Sequence, residues 1–219
     1  MIKAIIFDMD GLMVDTERLY YEADLEIAAQ HGETVDYQVV AQMMGQKPLD
    51  AMMIFRDSLE LDLSPTKLLN ERDKIFLEKL KVDLLPMPGL IETINALYAK
   101  YKLAVTTGAP QKFTDFILDG LEIRGFFEVI QTSDTINIGK PAPEIYLKTI
   151  ERLHLTPPEC IVLEDSSNGA LSAKRAGCYT IAIPSIYTQH QDFSFTDYIA
   201  EDLIGAKKHI IACLVSKYS

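Results

Sequence analysis

Residues 3–10 read KAIIFDMD. Ala4 to Phe7 is a short apolar run, rich in isoleucine, of the kind found in strands buried on both faces. It stops on two aspartates, Asp8 and Asp10. Carboxylates at the mouth of a buried strand carry a desolvation cost that an ordinary turn would avoid, so they call for a chemical use.

Runs of the same kind recur at residues 102–107 (KLAVTT), 127–132 (FEVIQT), 160–164 (CIVLE) and 179–183 (YTIAI). Helical patterns alternate with them: PGLIETINALYAKY from Pro88, PQKFTDFILDG from Pro110, PAPEIYLKTIERLH from Pro141 and NGALSAKRAG from Asn168. Proline suits a first helical turn, Asn168 a cap, and Gly120 and Gly177 helix ends. Strands separated by helices of this length pair in parallel, with the helices laid on both faces. The spacing therefore predicts an α/β fold with a doubly wound, Rossmann-like parallel sheet.

Residues 16–82 interrupt the alternation. TERLYYEADLEIAAQHG, YQVVAQMMG, PLDAMMIFRDSLEL and SPTKLLNERDKIFLEKLK are all helical in pattern, and no strand is evident among them. This predicts an all-α helical-bundle cap over residues 16–82, inserted into a core of residues 1–15 and 83–219, with hinges near Asp15–Thr16 and at LLPMPG.

Composition narrows the function. The chain has 219 residues, 48% hydrophobic and 24% charged, which is ordinary globular content. Its formal net charge of −11 opposes nucleic acid and anionic membranes as partners. An anionic substrate would need a local cation to meet it. Three cysteines without a CxxC pair suit reduced thiols, Asp8 interrupts any signal-like segment, and no run is long enough to span a membrane. A cytoplasmic monomer is expected.

In open α/β sheets ligands gather at the carboxyl ends of the strands. There the sequence places Asp8 and Asp10, then Thr106, Thr107 and Gly108, then Glu164 and Asp165, with Lys140 arriving in NIGKPAPEIY. Like charges ~4 Å apart repel by about 4 kcal/mol at an effective dielectric of ~20, and one lysine does not balance four carboxylates. All-oxygen donors favour a hard divalent ion, so Asp8, Asp10, Glu164 and Asp165 are candidate ligands for Mg²⁺. With a phosphomonoester on that ion, Asp8 could attack phosphorus and Asp10 could serve as general acid and base. Thr107, the backbone N–H groups around Gly108 and Ala109, and Lys140 would hold the phosphoryl oxygens.

In this order and on these elements, DMDGLMVDT, VTTG, GKPAPEIY and VLEDSSNG resemble the four motifs of the haloacid dehalogenase superfamily, and the insertion after the first resembles its α-helical cap type. The resemblance spans residues 3 to about 184. It implies a Mg²⁺-dependent phosphotransferase working through an aspartyl-phosphate at Asp8. Asp10 would give its backbone oxygen to the metal and its side chain to proton transfer, Asp165 would bind the metal, and Glu164 would do so directly or through water. The superfamily's dehalogenases usually lack the second aspartate, so Asp10 argues against carbon–halogen chemistry.

DTERLY and MMGQKPLDAM look like the pseudouridine-5′-phosphate and sugar-phosphate phosphatases of the β-phosphoglucomutase-like group. In the mutases of that group a histidine on the first cap helix restrains hydrolysis, and Tyr20 stands there in this chain. The arginine that follows the cap's glycine is missing, with Lys47 as a substitute. Both departures favour a phosphatase over a phosphomutase; a non-catalytic sensor would not need the pair Asp8 and Asp10. Tyr20, Gln46 and Lys47 are the candidates for substrate contact from the cap.

Some features have plainer readings. Met43, Met44, Met52, Met53 and Phe55 at helical spacing are expected in the core. His31, His154, His190 and His209 form no ligand pattern, and NIGKP lacks the frame of a nucleotide phosphate loop.

Overall fold

The computed structural model describes residues 1–43 and 48–215. The chain divides into two compact units, Thr16–Leu84 and the pair of segments Met1–Asp15 and Leu85–Ser219.

The smaller unit contains α1 (Thr16–Gln30), α2 (Tyr37–Met43), α3 (Pro48–Ser58) and α4 (Pro65–Val82). α4 starts where proline fits the first turn and Ser64 Oγ accepts from Lys67 N at 3.2 Å. Its buried residues Leu68, Arg72, Phe76 and Leu80 recur every four positions and form one stripe. α1 buries Leu19, Ala23 and Ile27, and Met43, Met52 and Phe55 join Ile27 and Leu68 in the helical core. Met53 lies outside that core, 45% exposed, because its neighbour Met52 takes the inward face of the same helix.

The larger unit is built on a parallel sheet of β1 (Ala4–Phe7), β2 (Lys102–Thr106), β3 (Val129–Gln131), β4 (Cys160–Glu164), β5 (Tyr179–Ala182) and β6 (Tyr198–Ile199), in the order β3-β2-β1-β4-β5-β6. With it are α5 (Leu90–Tyr98), α6 (Gln111–Gly120), α7 (Glu144–Arg152), α8 (Ser167–Ala176) and α9 (Leu203–Val215). Every residue of β1 is fully buried, as is expected of a central parallel strand.

The chain leaves β1 to build β2 and β3 on one side, then returns to build β4, β5 and β6 on the other. The order therefore reverses between β1 and β4, and a crevice opens where their carboxyl ends diverge. Phe7 pairs with Leu163, and Asp8 N donates to Leu163 O at 2.9 Å, so Asp8 and Glu164 occupy the next rung.

The structure departs locally from the sequence reading. β6 is an added two-residue edge strand, with Ile199 54% exposed, too short and too exposed to show an apolar run. α7 begins at Glu144 instead of near Pro141. α8 is capped by Ser166, whose Oγ accepts from Gly169 N at 3.2 Å, in place of Asn168. No helix among the described residues is long and apolar enough to cross a membrane.

Candidate active site

The ends of β1 and β4 bring their carboxylates together. Oxygens of Asp8, Glu164 and Asp165 all lie within 4.8 Å of one another, and all three residues are buried. Backbone geometry makes the approach possible. Gly11 turns the chain at φ +75°, and a Cβ there would stand 2.2 Å from Asp165 Oδ2. The turn is closed by Met13 N donating to Met9 O at 2.8 Å and Gly11 N to Val14 O at 2.9 Å.

Lys140 supplies the cation. Its Nζ donates to Asp8 Oδ1 and to Glu164 Oε1, each at 2.5 Å. The loop that carries it is tied to α8, because Ser172 Oγ donates to Ala142 O at 2.6 Å and Arg175 donates to Pro141 O at 3.0 Å. Burial works against the Lys140 charge, but Asp8 and Glu164 outweigh it and raise its pKa. Burial likewise pushes the Asp8 carboxyl well above the usual range, and the Glu164 charge adds to that push while Lys140 opposes it.

Glu164 is completely buried and surrounded by donors. Oε1 accepts from Lys140 and from Tyr146 OH at 2.7 Å, and Oε2 accepts from Ser166 N at 3.2 Å and Ser166 Oγ at 3.1 Å. Asp165 is held from the other side, its backbone oxygen accepting from Thr188 Oγ1 at 2.7 Å.

Thr107, at the end of β2, fixes the second aspartate of the first loop. Its hydroxyl donates to Asp10 Oδ2 at 2.7 Å and accepts from Ala109 N at 2.9 Å. A hydroxyl has one proton, so the bond from Ala109 helps to commit that proton to Asp10. The same bond engages the Ala109 N–H, which the sequence had offered to a phosphoryl oxygen. Gly108 is exposed and an added Cβ would meet nothing within 4 Å, so this glycine marks an open mouth.

The donor set suits a hard divalent cation. Three buried carboxylates face one ammonium, the donors are all oxygen, and such an ion would offset both the burial and the Glu164 charge that push the Asp8 carboxyl up.

Of the candidates on the helical unit, Tyr20 stacks on Phe76 with ring centroids 3.9 Å apart, and the Arg72 guanidinium lies 5.0 Å from its centroid. Gln46 and Lys47 lie outside the described residues, as does Met44. Sequence reasoning did not single out Tyr146, Gly11 or Gly169. Tyr146 stood in plain view in GKPAPEIY, but its contact with Glu164 depends on where α7 places it.

A family model for haloacid dehalogenase-like hydrolases matches residues 5–183. The chain belongs to that family. Among relatives of this hydrolase, a phosphorylated carbohydrates phosphatase of Thermotoga maritima is 35% identical over 181 residues, 80% of this chain and 82% of that protein. The fructose-1-phosphate phosphatase YqaB of Escherichia coli is 28% identical over 79% of this chain and 92% of its own. Among solved structures, CbbY from Rhodobacter sphaeroides in complex with phosphate aligns with TM-score 0.83 and 27% identity over 93% of this chain and 95% of that one. A T. maritima protein whose structure carries the description putative β-phosphoglucomutase aligns with TM-score 0.78 and 28% identity, covering 95% of this chain and 100% of its own. The hydrolase thus falls in the β-phosphoglucomutase-like group, in which phosphatases are found.

Proposed function

We propose that this hydrolase cleaves small phosphomonoesters, with sugar phosphates as the leading substrate class, in a Mg²⁺-dependent reaction that passes through an aspartyl-phosphate on Asp8. The observation that carries the reading is the convergence of Asp8 and Asp10 after β1, Asp165 after β4, Thr107 after β2 and Lys140 from the loop before α7 at the carboxyl edge of one sheet, where the strand order reverses. The names of the T. maritima and E. coli relatives support the substrate class.

Asp8 and Asp165, with the Asp10 backbone carbonyl, would hold Mg²⁺, which when bound supplies positive charge against the phosphoryl oxygens. Asp8 attacks phosphorus while the bond from phosphorus to the ester oxygen breaks. Asp10 gives its proton to the departing alkoxide and then takes one from the water that attacks the aspartyl-phosphate, releasing inorganic phosphate and restoring Asp8. Thr107, its proton directed at Oδ2, keeps the Asp10 carboxyl aimed through both steps. Lys140 bridges Asp8 and Glu164 and meets negative charge on the transferring group.

Hydrolysis is favoured over phosphoryl transfer to a sugar. The first-cap-helix position that resembles the mutases' restraining histidine carries Tyr20, whose ring is occupied by Phe76 on one side and Arg72 above it. The test is phosphate release from a panel of sugar phosphates and nucleoside monophosphates, with Mg²⁺ or chelator, for the native chain and Asp8→Asn. Release that needs Mg²⁺ and vanishes in the variant supports the reading. Full turnover by Asp8→Asn would refute the covalent route, and rapid transfer to a sugar phosphate with little free phosphate would make the protein a mutase.

A further inference from the structure

We propose that Tyr146 is a positioning residue for the reaction, its phenol seating Glu164 so that Glu164 in turn orients Lys140. The inference rests on the phosphatase reading above and deepens it, since neither the motif resemblance nor that mechanism gives Tyr146 a part.

A carboxylate offers about four lone-pair directions. At Glu164 four protein donors occupy them: Lys140 and Tyr146 on Oε1, and the backbone N–H and hydroxyl of Ser166 on Oε2. With its acceptors used in this way, Glu164 acts as an anchor for the lysine. Gly169 closes the seat from below, because a Cβ there would lie 1.7 Å from Oε1.

Tyr146 is the one donor in this group whose side chain reaches from the middle of the sheet unit's core. It is fully buried, packed with Ile6, Val162 and Cys178, and its ring cannot move without disturbing them. The phenol therefore transmits a rigid position to Oε1. The Lys140 ammonium also stands 5.2 Å from the centroid of the same ring, so Tyr146 meets the cation directly through its face and indirectly through Glu164. Two of the three ammonium N–H groups are directed to Asp8 and Glu164, which fixes the axis on which the remaining one can approach a phosphoryl oxygen.

Tyr146→Phe separates the two contacts. It preserves ring volume and the face presented to Lys140 while deleting only the hydroxyl, and Oε1 keeps its lysine donor, so the variant is expected to fold with native circular dichroism. We expect kcat to fall about tenfold, the scale of one hydrogen bond to a charged group, with KM changed less than twofold. In the Glu164→Ala background the same substitution should have no further effect on kcat, since its route to Lys140 is gone.

A readout independent of turnover is the ¹⁵Nζ ammonium resonance of Lys140, assigned by its loss in Lys140→Met. It should shift or broaden in Tyr146→Phe. If the native protein releases no phosphate from any ester, the phosphatase reading fails and the resonance alone decides the positioning claim. An unchanged resonance, unchanged kcat, or an equal loss with and without Glu164 would each overturn it, leaving Tyr146 as a core side chain.

Discussion

A Cβ built on Gly169 would sit 1.7 Å from Glu164 Oε1 and 2.3 Å from Oε2, so the main chain of α8 is the surface against which that carboxylate rests. The glycine is needed for closeness of approach in a helix, not for an unusual backbone angle. Its neighbour Ser166 caps the same helix and donates to Oε2, which makes the first turn of α8 both a structural start and a carboxylate seat.

Gly169→Ala should therefore act on two quantities at once. The added methyl forces Glu164 or the helix to shift, an overpacking cost of about 1–3 kcal/mol, seen as a lowered thermal midpoint. Because Lys140 is bound to the displaced carboxylate, turnover should fall by more than the loss of folded protein explains. Activity normalised to folded fraction separates the two, and an unchanged normalised rate would mean that Glu164 can move without consequence.

The bond from Thr107 to Asp10 gives a graded series. Asp10→Asn removes the acid and base and should lower kcat by about 10²–10⁴. Thr107→Ser keeps the hydroxyl that donates to Oδ2 and should stay near the native rate, whereas Thr107→Val deletes that donor and should lose about tenfold. Steady-state kinetics on one good substrate checks the order Ser, Val, Asn. A Val variant as active as Ser would show that the hydroxyl does not aim Asp10.

How much of this was legible in the sequence depends on distance along the chain. Strands β1, β2 and β4 announced themselves because both faces are buried, leaving apolar runs that end on polar residues, and β5 showed as a mostly buried β-rich run. Asp8, Asp10, Thr107, Glu164 and Asp165 were readable by that rule alone, since each follows such a run. The exposed two-residue β6 left no pattern to read. Tyr146 and Gly169 were hidden for another reason: an aromatic in an amphipathic helix and a glycine near a helix start are ordinary locally, and only the fold brings both to the Glu164 carboxylate. Likewise the Ala109 N–H could not be known to serve Thr107 until the turn after β2 was seen.

The cation reading has a test that needs no substrate. An ion that binds only the folded state stabilises it by RT ln(1 + [L]/Kd), about 2.7 kcal/mol at a hundredfold excess over Kd. Mg²⁺ should therefore raise the thermal midpoint of the native protein relative to chelator. The increase should be largely lost in Asp165→Asn, which removes one oxygen donor from the acidic group. Equal shifts in both proteins would place the ion elsewhere.

The helical unit carries a separate pH dependence. Asp24 is buried on α1, and burial raises its carboxyl to about 7 even though the Arg72 charge pulls the other way. Among the described residues neither Asp24 Oδ1 nor Arg72 Nε has a hydrogen-bond partner. The folded carboxyl thus holds its proton between its unfolded value near 3.8 and about 7, while the unfolded chain has lost it. Stability from this group is fully present below the lower value and declines as pH rises through the upper one. A shift of this size corresponds to about 4 kcal/mol at most. Urea denaturation followed on the helical unit should give a higher midpoint at pH 5.5 than at pH 8, with Asp24→Asn flattening the difference and matching or exceeding the native protein at pH 8. A native protein equally stable at both values, with the variant destabilised throughout, would mean that the carboxylate is ionised and held by Arg72 across the range.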